Sequence, residues 1–305
     1  MIHLIPIGLI SYLQGLILGL LQGFSELFPI SSLGHSVVLP RLLGWHIHQS
    51  DDFFLTFLVA THLATAIVLL VFFGRDWLRI LRGLGRSLRD REIGPQDTDA
   101  RLGWLLVVGT IPAGILGLAL ESSLRDVFGT PRAAAAFLAL NGLMLFGAER
   151  LRRRTAPPGS AGGAQAQSAE AGDGDTRVAR RLSFRGAVGI GASQALALLP
   201  GFSRSGATMG GGLLTGLSNE DAARFAFLLA TPIIFAAAAL KLPDLLGHKG
   251  DGVRGPAALG AVAAALTAYF SVRFLMRFFR TNRLTPMAWY CLGAGVVLSV
   301  VFSLD

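Results

Sequence analysis

Charge is what this chain has least of, and cysteine is almost missing. Only 15% of its 305 residues are Asp, Glu, Lys or Arg, against about 25% in soluble domains. So few charges cannot cover a water-facing globule. Cys291 stands alone, which excludes an intramolecular disulfide and leaves a small buried hydrophobe in an apolar stretch. What fills the space is hydrophobic: 52% of the residues are apolar, mean hydropathy is +0.57, and several windows reach the roughly 20 residues that cross a bilayer core. The chain reads as an all-α polytopic membrane protein. Its net charge of +8 does not point to nucleic acid, because the arginines cluster in loops between apolar spans, the positive-inside pattern. The N-terminus lacks a basic n-region and a small-residue cleavage site after a short apolar core, so it reads as part of the fold and not as a signal peptide.

Six spans are predicted, at Phe53–Phe73, Leu102–Leu120, Ala133–Ala148, Ala222–Leu240, Pro256–Arg277 and Pro286–Ser303. The loops Arg75–Arg101, Arg150–Arg185 and Arg273–Arg283 are arginine-rich and are expected in the cytoplasm. Parity then constrains the rest. Arg185–Gly216 must start and end inside, so it enters and returns as a re-entrant hairpin broken at Pro200-Gly201. Ile5–Gly44, broken at Pro29, should start and end outside. Each half becomes one hairpin plus three spans, and the halves are inverted repeats: 1–150 with its hairpin at about 5–44, and 185–305 with its hairpin at about 185–216. Residues 151–184 join them as a cytoplasmic linker, Ala/Gly/Ser/Gln-rich and disordered over Thr155–Asp175.

Both hairpins carry polar groups that are expensive at membrane depth and so mark function. In the first, Gln22 and Glu26 share a helix face by their spacing of four. A carboxylate and an amide oxygen there can hold a hard divalent cation, Mg²⁺ or Ca²⁺, with water and substrate phosphate completing its shell. Ser31, Ser32, Gly34 and His35 follow the Pro29 break, where a new helix offers free N–H groups to an anion, and His35 is placed as nucleophile or general base. In the second, Arg204 follows Pro200-Gly201 and suits bidentate grip on phosphate, with Ser203, Ser205 and Thr208 as further donors. His62 and Thr61 lie in the Phe53 span, and His62 is a candidate for the same cavity. Asn141 reads as an interhelical hydrogen-bonding group, Glu121 and Glu149 as interfacial, and His46, His48 and His248 as outer-loop residues without metal-ligand spacing.

Gln22-x-x-x-Glu26, Pro29-x-Ser31-Ser32-x-Gly34-His35 and Pro200-Gly201-x-Ser203-Arg204-Ser205-Gly206-Ala207-Thr208, supported by Thr110-x-Pro112-Ala113-Gly114 and Phe227-x-x-x-x-Pro232, closely resemble the undecaprenyl-diphosphate phosphatases, the bacitracin-resistance family of bacterial membrane enzymes. The resemblance covers nearly the whole chain. It departs at Gln22, where many members carry glutamate. It implies hydrolysis of a polyprenyl diphosphate to the monophosphate and inorganic phosphate, recycling a cell-wall lipid carrier at the bacterial inner membrane, with a site opening to the outer face. The site residues implied are His35, Glu26, Ser31 and Arg204 for catalysis, Ser32, Ser203, Arg204, Ser205 and Thr208 for phosphate, and Glu26 and Gln22 for the cation. The expected partners are the lipid substrate, membrane lipids and a second copy of the chain. His35 acting directly, Ser31 activated by His35, and a metal-bound water all remain open as the attacking group.

Three rivals stand against this. Broken helices in inverted repeats also suit a transporter or flippase of a polyprenyl phosphate. The type 2 phosphatidate phosphatases require His and Asp in register after Ser-Arg, where this chain has Gly210 and Leu214. A membrane scaffold has no use for buried Glu26, His35 and Arg204.

Overall fold

The computed structural model describes residues 10–47, 52–128, 130–155, 173–247 and 251–304. Among them are twelve α-helices and no strand. The first six are α1 (Tyr12–Ser25), α2 (Ser32–Leu42), α3 (Asp52–Phe72), α4 (Gly74–Asp90), α5 (Thr98–Phe128) and α6 (Pro131–Thr155). The second six are α7 (Gly174–Arg181), α8 (Phe184–Ser193), α9 (Arg204–Leu214), α10 (Asn219–Leu246), α11 (Arg254–Phe278) and α12 (Thr285–Leu304). Helices α3, α5, α6, α10, α11 and α12 each contain a stretch long and apolar enough to cross a membrane: Phe54–Phe72, Thr98–Leu120, Pro131–Arg154, Asn219–Lys241, Arg254–Phe278 and Thr285–Leu304. These are the six spans read from the sequence, shifted only at their ends.

Four of the others form two broken pairs. α1 and α2 have 14 and 11 residues, about 21 and 16 Å of helix, short of a roughly 30 Å bilayer core. Ser11 starts α1 with a reciprocal cap, its Oγ accepting from Gln14 N at 3.2 Å while Gln14 Oε1 accepts from Ser11 N at 2.8 Å. After the turn containing Pro29, Ser31 takes φ 70°, unusual for a residue with a Cβ. Its Oγ accepts from Gly34 N at 3.1 Å and opens α2. The second pair, α8 and α9, has 10 and 11 residues, separated by a 3₁₀ turn at Gln194–Leu198 and a break with Gly201 at φ 111°.

The two breaks cross each other. A Cβ on Gly34 would lie 2.9 Å from Gly201 Cα, and one on Gly201 would strike the Ala134 carbonyl of α6. Only glycine at both points lets the backbones touch. Asn141 of α6, fully buried, fastens both tips: its Nδ2 donates to Pro29 O at 3.0 Å and its Oδ1 accepts from Ser203 N at 3.1 Å. The hydrogen-bonding role expected for Asn141 is thus a three-way junction. A second glycine seam lies along α1, where Gly15, Gly19 and Gly23 lie directly against backbone at Pro256, Gly260 and Ala264 of α11.

One end of the molecule is polar. The stretch read from sequence as a basic loop, Arg75–Arg101, is largely α4, with Ile80, Gly83 and Ser87 buried and Leu78, Leu81 and Leu88 exposed beside the arginines. That pattern belongs to an amphipathic interfacial helix. Of the expected linker 151–184, residues 151–155 finish α6, Gly174–Arg181 form α7, and 156–172 lie outside the described residues. α7 is clamped down by ions: Arg177 meets Asp221 of α10 at 2.7 Å, and Asp175 receives Arg224 at 2.5 Å and Arg79 at 2.9 Å. Arg86 of α4 donates twice to Asp97, at 3.1 and 2.9 Å, and these bonds hold that carboxyl below its usual range. Glu149, expected at the interface, lies buried near the end of α6 with Arg152 3.4 Å away. The side chain of Glu121, and His48 and His248, lie outside the described residues.

Candidate active site

Helix α1 is apolar and glycine-rich until its last turn, where Gln22 and then Glu26 fall on one side. Glu26 is 6% exposed, and a lone carboxylate so placed would be very unfavourable. It is not alone. Gln22 Nε2 donates to Glu26 Oε2 at 3.0 Å, Ser32 Oγ donates to the same oxygen at 2.5 Å, and His62 Nε2 stands 3.2 Å from it. The other oxygen, Oε1, accepts from Arg204 Nη2 at 2.6 Å. Four elements therefore meet at one carboxylate: α1, the start of α2, the middle of α3 and the start of α9.

His62 is oriented by its other nitrogen. Nδ1 lies 2.8 Å from the Leu58 carbonyl, which can only accept, so Nδ1 carries the proton and Nε2 is the atom turned to Glu26. His35 is oriented the same way but elsewhere. Its Nδ1 donates to Ser31 O at 2.6 Å, and its Nε2 lies 2.8 Å from the Tyr290 hydroxyl of α12, with the two rings stacked.

A cavity of about 600 Å³ opens from Glu26, Ser32, His62, Gln194, Ser203 and Arg204. Its other walls are mostly apolar, with small residues such as Ala113, Gly114 and Gly117 from α5 and Ala236, Ala237 and Ala238 from α10 beside Phe54, Phe202 and Ile234, and with Thr56 and Lys241 as further polar lining. One end suits an anion and the remainder a hydrocarbon chain.

Of the residues proposed from sequence, the structure gathers Gln22, Glu26, Ser32 and Arg204 into direct contact, with Ser203 on the same cavity wall. It does not bring His35, Ser31, Ser205 or Thr208 to the cavity. Ser31 caps α2, Ser205 Oγ donates to Phe28 O at 3.0 Å, and Thr208 Oγ1 donates back to Arg204 O at 2.7 Å. Ser203 Oγ accepts from Gly206 N as the cap of α9. Thr61 likewise bonds only to its own helix, at Phe57 O and Leu58 O. Gln194 lines the cavity although it had no role in the reading of the sequence; a lone amide in the apolar run six residues before Pro200 is the signal that could have found it.

For a divalent cation the fit rests on an orphan. Gln22 Oε1 is buried and has no hydrogen-bond partner among the described residues, an acceptor beside a carboxylate. Oxygen ligands of this kind suit Mg²⁺ or Ca²⁺. Among the described residues no three His, Cys, Asp or Glu side chains cluster as ligands, so substrate phosphate and water would have to complete the shell.

Fold and cavity define a class: a multi-pass helical membrane protein with a buried Glu–Arg ion pair on the wall of a largely apolar chamber. Residues 15–297 match the model of the family described as Bacitracin resistance protein BacA, and the chain belongs to that family. It is 51% identical over 296 residues to the undecaprenyl-diphosphatase of Mycolicibacterium paratuberculosis, covering 94% of this chain and 95% of that one. It is 45% identical over 341 residues to undecaprenyl-diphosphatase 2 of Frankia alni, covering 97% and 99%. It is 46% identical over 290 residues to undecaprenyl-diphosphatase 2 of Chromobacterium violaceum, covering 93% and 96%.

Proposed function

We propose that this protein is an integral membrane phosphatase that hydrolyses undecaprenyl diphosphate to undecaprenyl phosphate and inorganic phosphate. The observation that carries this is the Glu26–Arg204 pair, at 2.6 Å, on the wall of a largely apolar cavity. The names of the relatives supply the substrate class. Arg204 neutralises the phosphate oxygens as charge develops on them. Ser32 Oγ, already donating to Glu26, is the hydroxyl placed to attack the terminal phosphorus. As the P–O bond to the bridging oxygen breaks, the Ser32 proton passes to Glu26 and the polyprenyl monophosphate leaves as an anion. Water then attacks the phosphoserine phosphorus, the P–Oγ bond breaks as Glu26 returns its proton to Ser32 Oγ, and inorganic phosphate leaves carrying the water's oxygen and protons. His62 and Gln22 hold Glu26 in place. A bound divalent cation, held by Glu26 and Gln22, would add charge neutralisation on the phosphate oxygens.

The same proposal takes each broken helix pair as a re-entrant hairpin, the two entering from opposite faces in inverted halves, with the cavity opening outward. Phosphate release from undecaprenyl diphosphate by the purified protein in detergent tests the function, since a flippase gives no signal without two compartments. Chelation should stop turnover, and Mg²⁺ or Ca²⁺ should restore it. No phosphate release under any metal condition overturns the enzyme reading. Full activity after exhaustive chelation removes the cation.

A further inference from the structure

Two residues that line the cavity, Gln194 and Arg204, each keep one buried donor without a partner among the described residues once the chemistry above is assigned. Gln194 closes α8 and opens the 3₁₀ turn. It is 5% exposed, lines the cavity, and its Nε2 is buried with no hydrogen-bond partner among the described residues. Arg204 bonds Glu26 through Nη2, and its Nη1 is likewise buried without a partner among the described residues. Burying an amide or guanidinium N–H unbonded works against folding, so two such groups on residues lining one cavity are unfavourable unless something arrives to accept from them. Arg204 is also the first residue of α9, an eleven-residue helix whose positive end lies at the same place. All three features call for an anion.

A diphosphate brings two phosphoryl groups, and Ser32 with Glu26 engages only the one under attack. We propose that Gln194 is a substrate-binding residue: its Nε2 and the free Nη1 of Arg204 together hold the phosphate that stays on the lipid. This rests on the diphosphatase function above. It makes the site a reader of two phosphates. The monophosphate product leaves one set of donors unfilled, which favours its release.

The test uses the full-length protein in detergent with Gln194→Leu and Gln194→Glu. Pyrophosphate and inorganic phosphate are the probes, by inhibition and by calorimetry, beside KM and kcat for undecaprenyl diphosphate. Gln194→Leu removes one buried hydrogen bond to a charged group, so KM and the pyrophosphate constant should rise about 10- to 100-fold. kcat should fall less than kcat/KM, and the inorganic phosphate constant should stay close to that of the native protein. Gln194→Glu should be weaker still, because it sets a carboxylate against the phosphate. The thermal midpoint of Gln194→Leu should hold or rise, since an unbonded donor has been removed. A structural glutamine gives the reverse: a lower midpoint with pyrophosphate affinity unchanged. That result, or unchanged KM at unchanged midpoint, overturns the proposal. If the native protein hydrolyses no diphosphate, the function fails separately, and pyrophosphate calorimetry on the variants still decides Gln194.

Discussion

Glu26 reaches four side chains through two oxygen atoms, and each partner approaches in a different chemical role. Arg204 is the cationic one. Arg204→Lys keeps the charge but loses the planar fork, and should cost on the order of 2–4 kcal/mol in the transition state, roughly 30- to 1,000-fold in kcat/KM. Near-normal turnover would leave Arg204 as a structural ion pair. The adjacent serines separate cleanly. Ser31 sits at φ 70° and turns its hydroxyl into the helix cap, which leaves Ser32 facing Glu26. Ser31→Ala should therefore lower stability by about 0.5–2 kcal/mol and retain most activity, whereas Ser32→Ala should abolish turnover while melting near the native temperature. The opposite pattern in paired activity and melting assays would exchange their roles. No spacing rule reveals which of two neighbouring serines faces a carboxylate; one backbone torsion decides it. The spacing of Gln22 and Glu26 was legible because both lie on one helix. His62, 36 positions from Glu26 on another helix, was legible as a candidate for the cavity, but its 3.2 Å approach to Glu26 was not.

At the level of elements, the spans were readable because about 20 apolar residues in a row have few other uses. The broken pairs were readable from Pro29 and Pro200-Gly201. α4 was not, because its arginines drew attention from the Ile80, Gly83 and Ser87 stripe beneath them. The junction at Asn141 could be expected as a hydrogen bond but not as a link between both breaks. Asn141→Leu strips the partner from Ser203 N, worth about 1–3 kcal/mol when left unbonded in a buried place, and leaves Pro29 O only the weak Cys291 Sγ donor at 3.6 Å. The variant should melt at a clearly lower temperature and lose activity through displaced tips. A protein equally stable and active would mean that Gly34 and Gly201 alone hold the crossing.

For the whole molecule, the proposed orientation rests on charge. It puts the arginine-rich end, with α4 and α7, in the cytoplasm and opens the cavity to the other side. Arg82 is exposed on α4, while the single native cysteine, Cys291, is buried. Arg82→Cys is therefore a clean reporter. It should resist a membrane-impermeant maleimide in intact cells and react once the membrane is opened. Labelling in intact cells would invert the protein and turn the cavity inward.

Glu26 and Arg204 are 178 residues apart, and a ribosome does not make them together. At about 5–20 residues per second the carboxylate precedes its cation by roughly 10–35 s. Through that interval its partners come from the first half alone: Gln22, Ser32 and His62. The nascent first half thus holds a half-built charge network inside the bilayer, a form that cellular proteases can recognise. Chains halted after α6 should be cleared faster than the same fragments carrying Glu26→Gln, and equal lifetimes in a pulse-chase would show that the early partners already suffice.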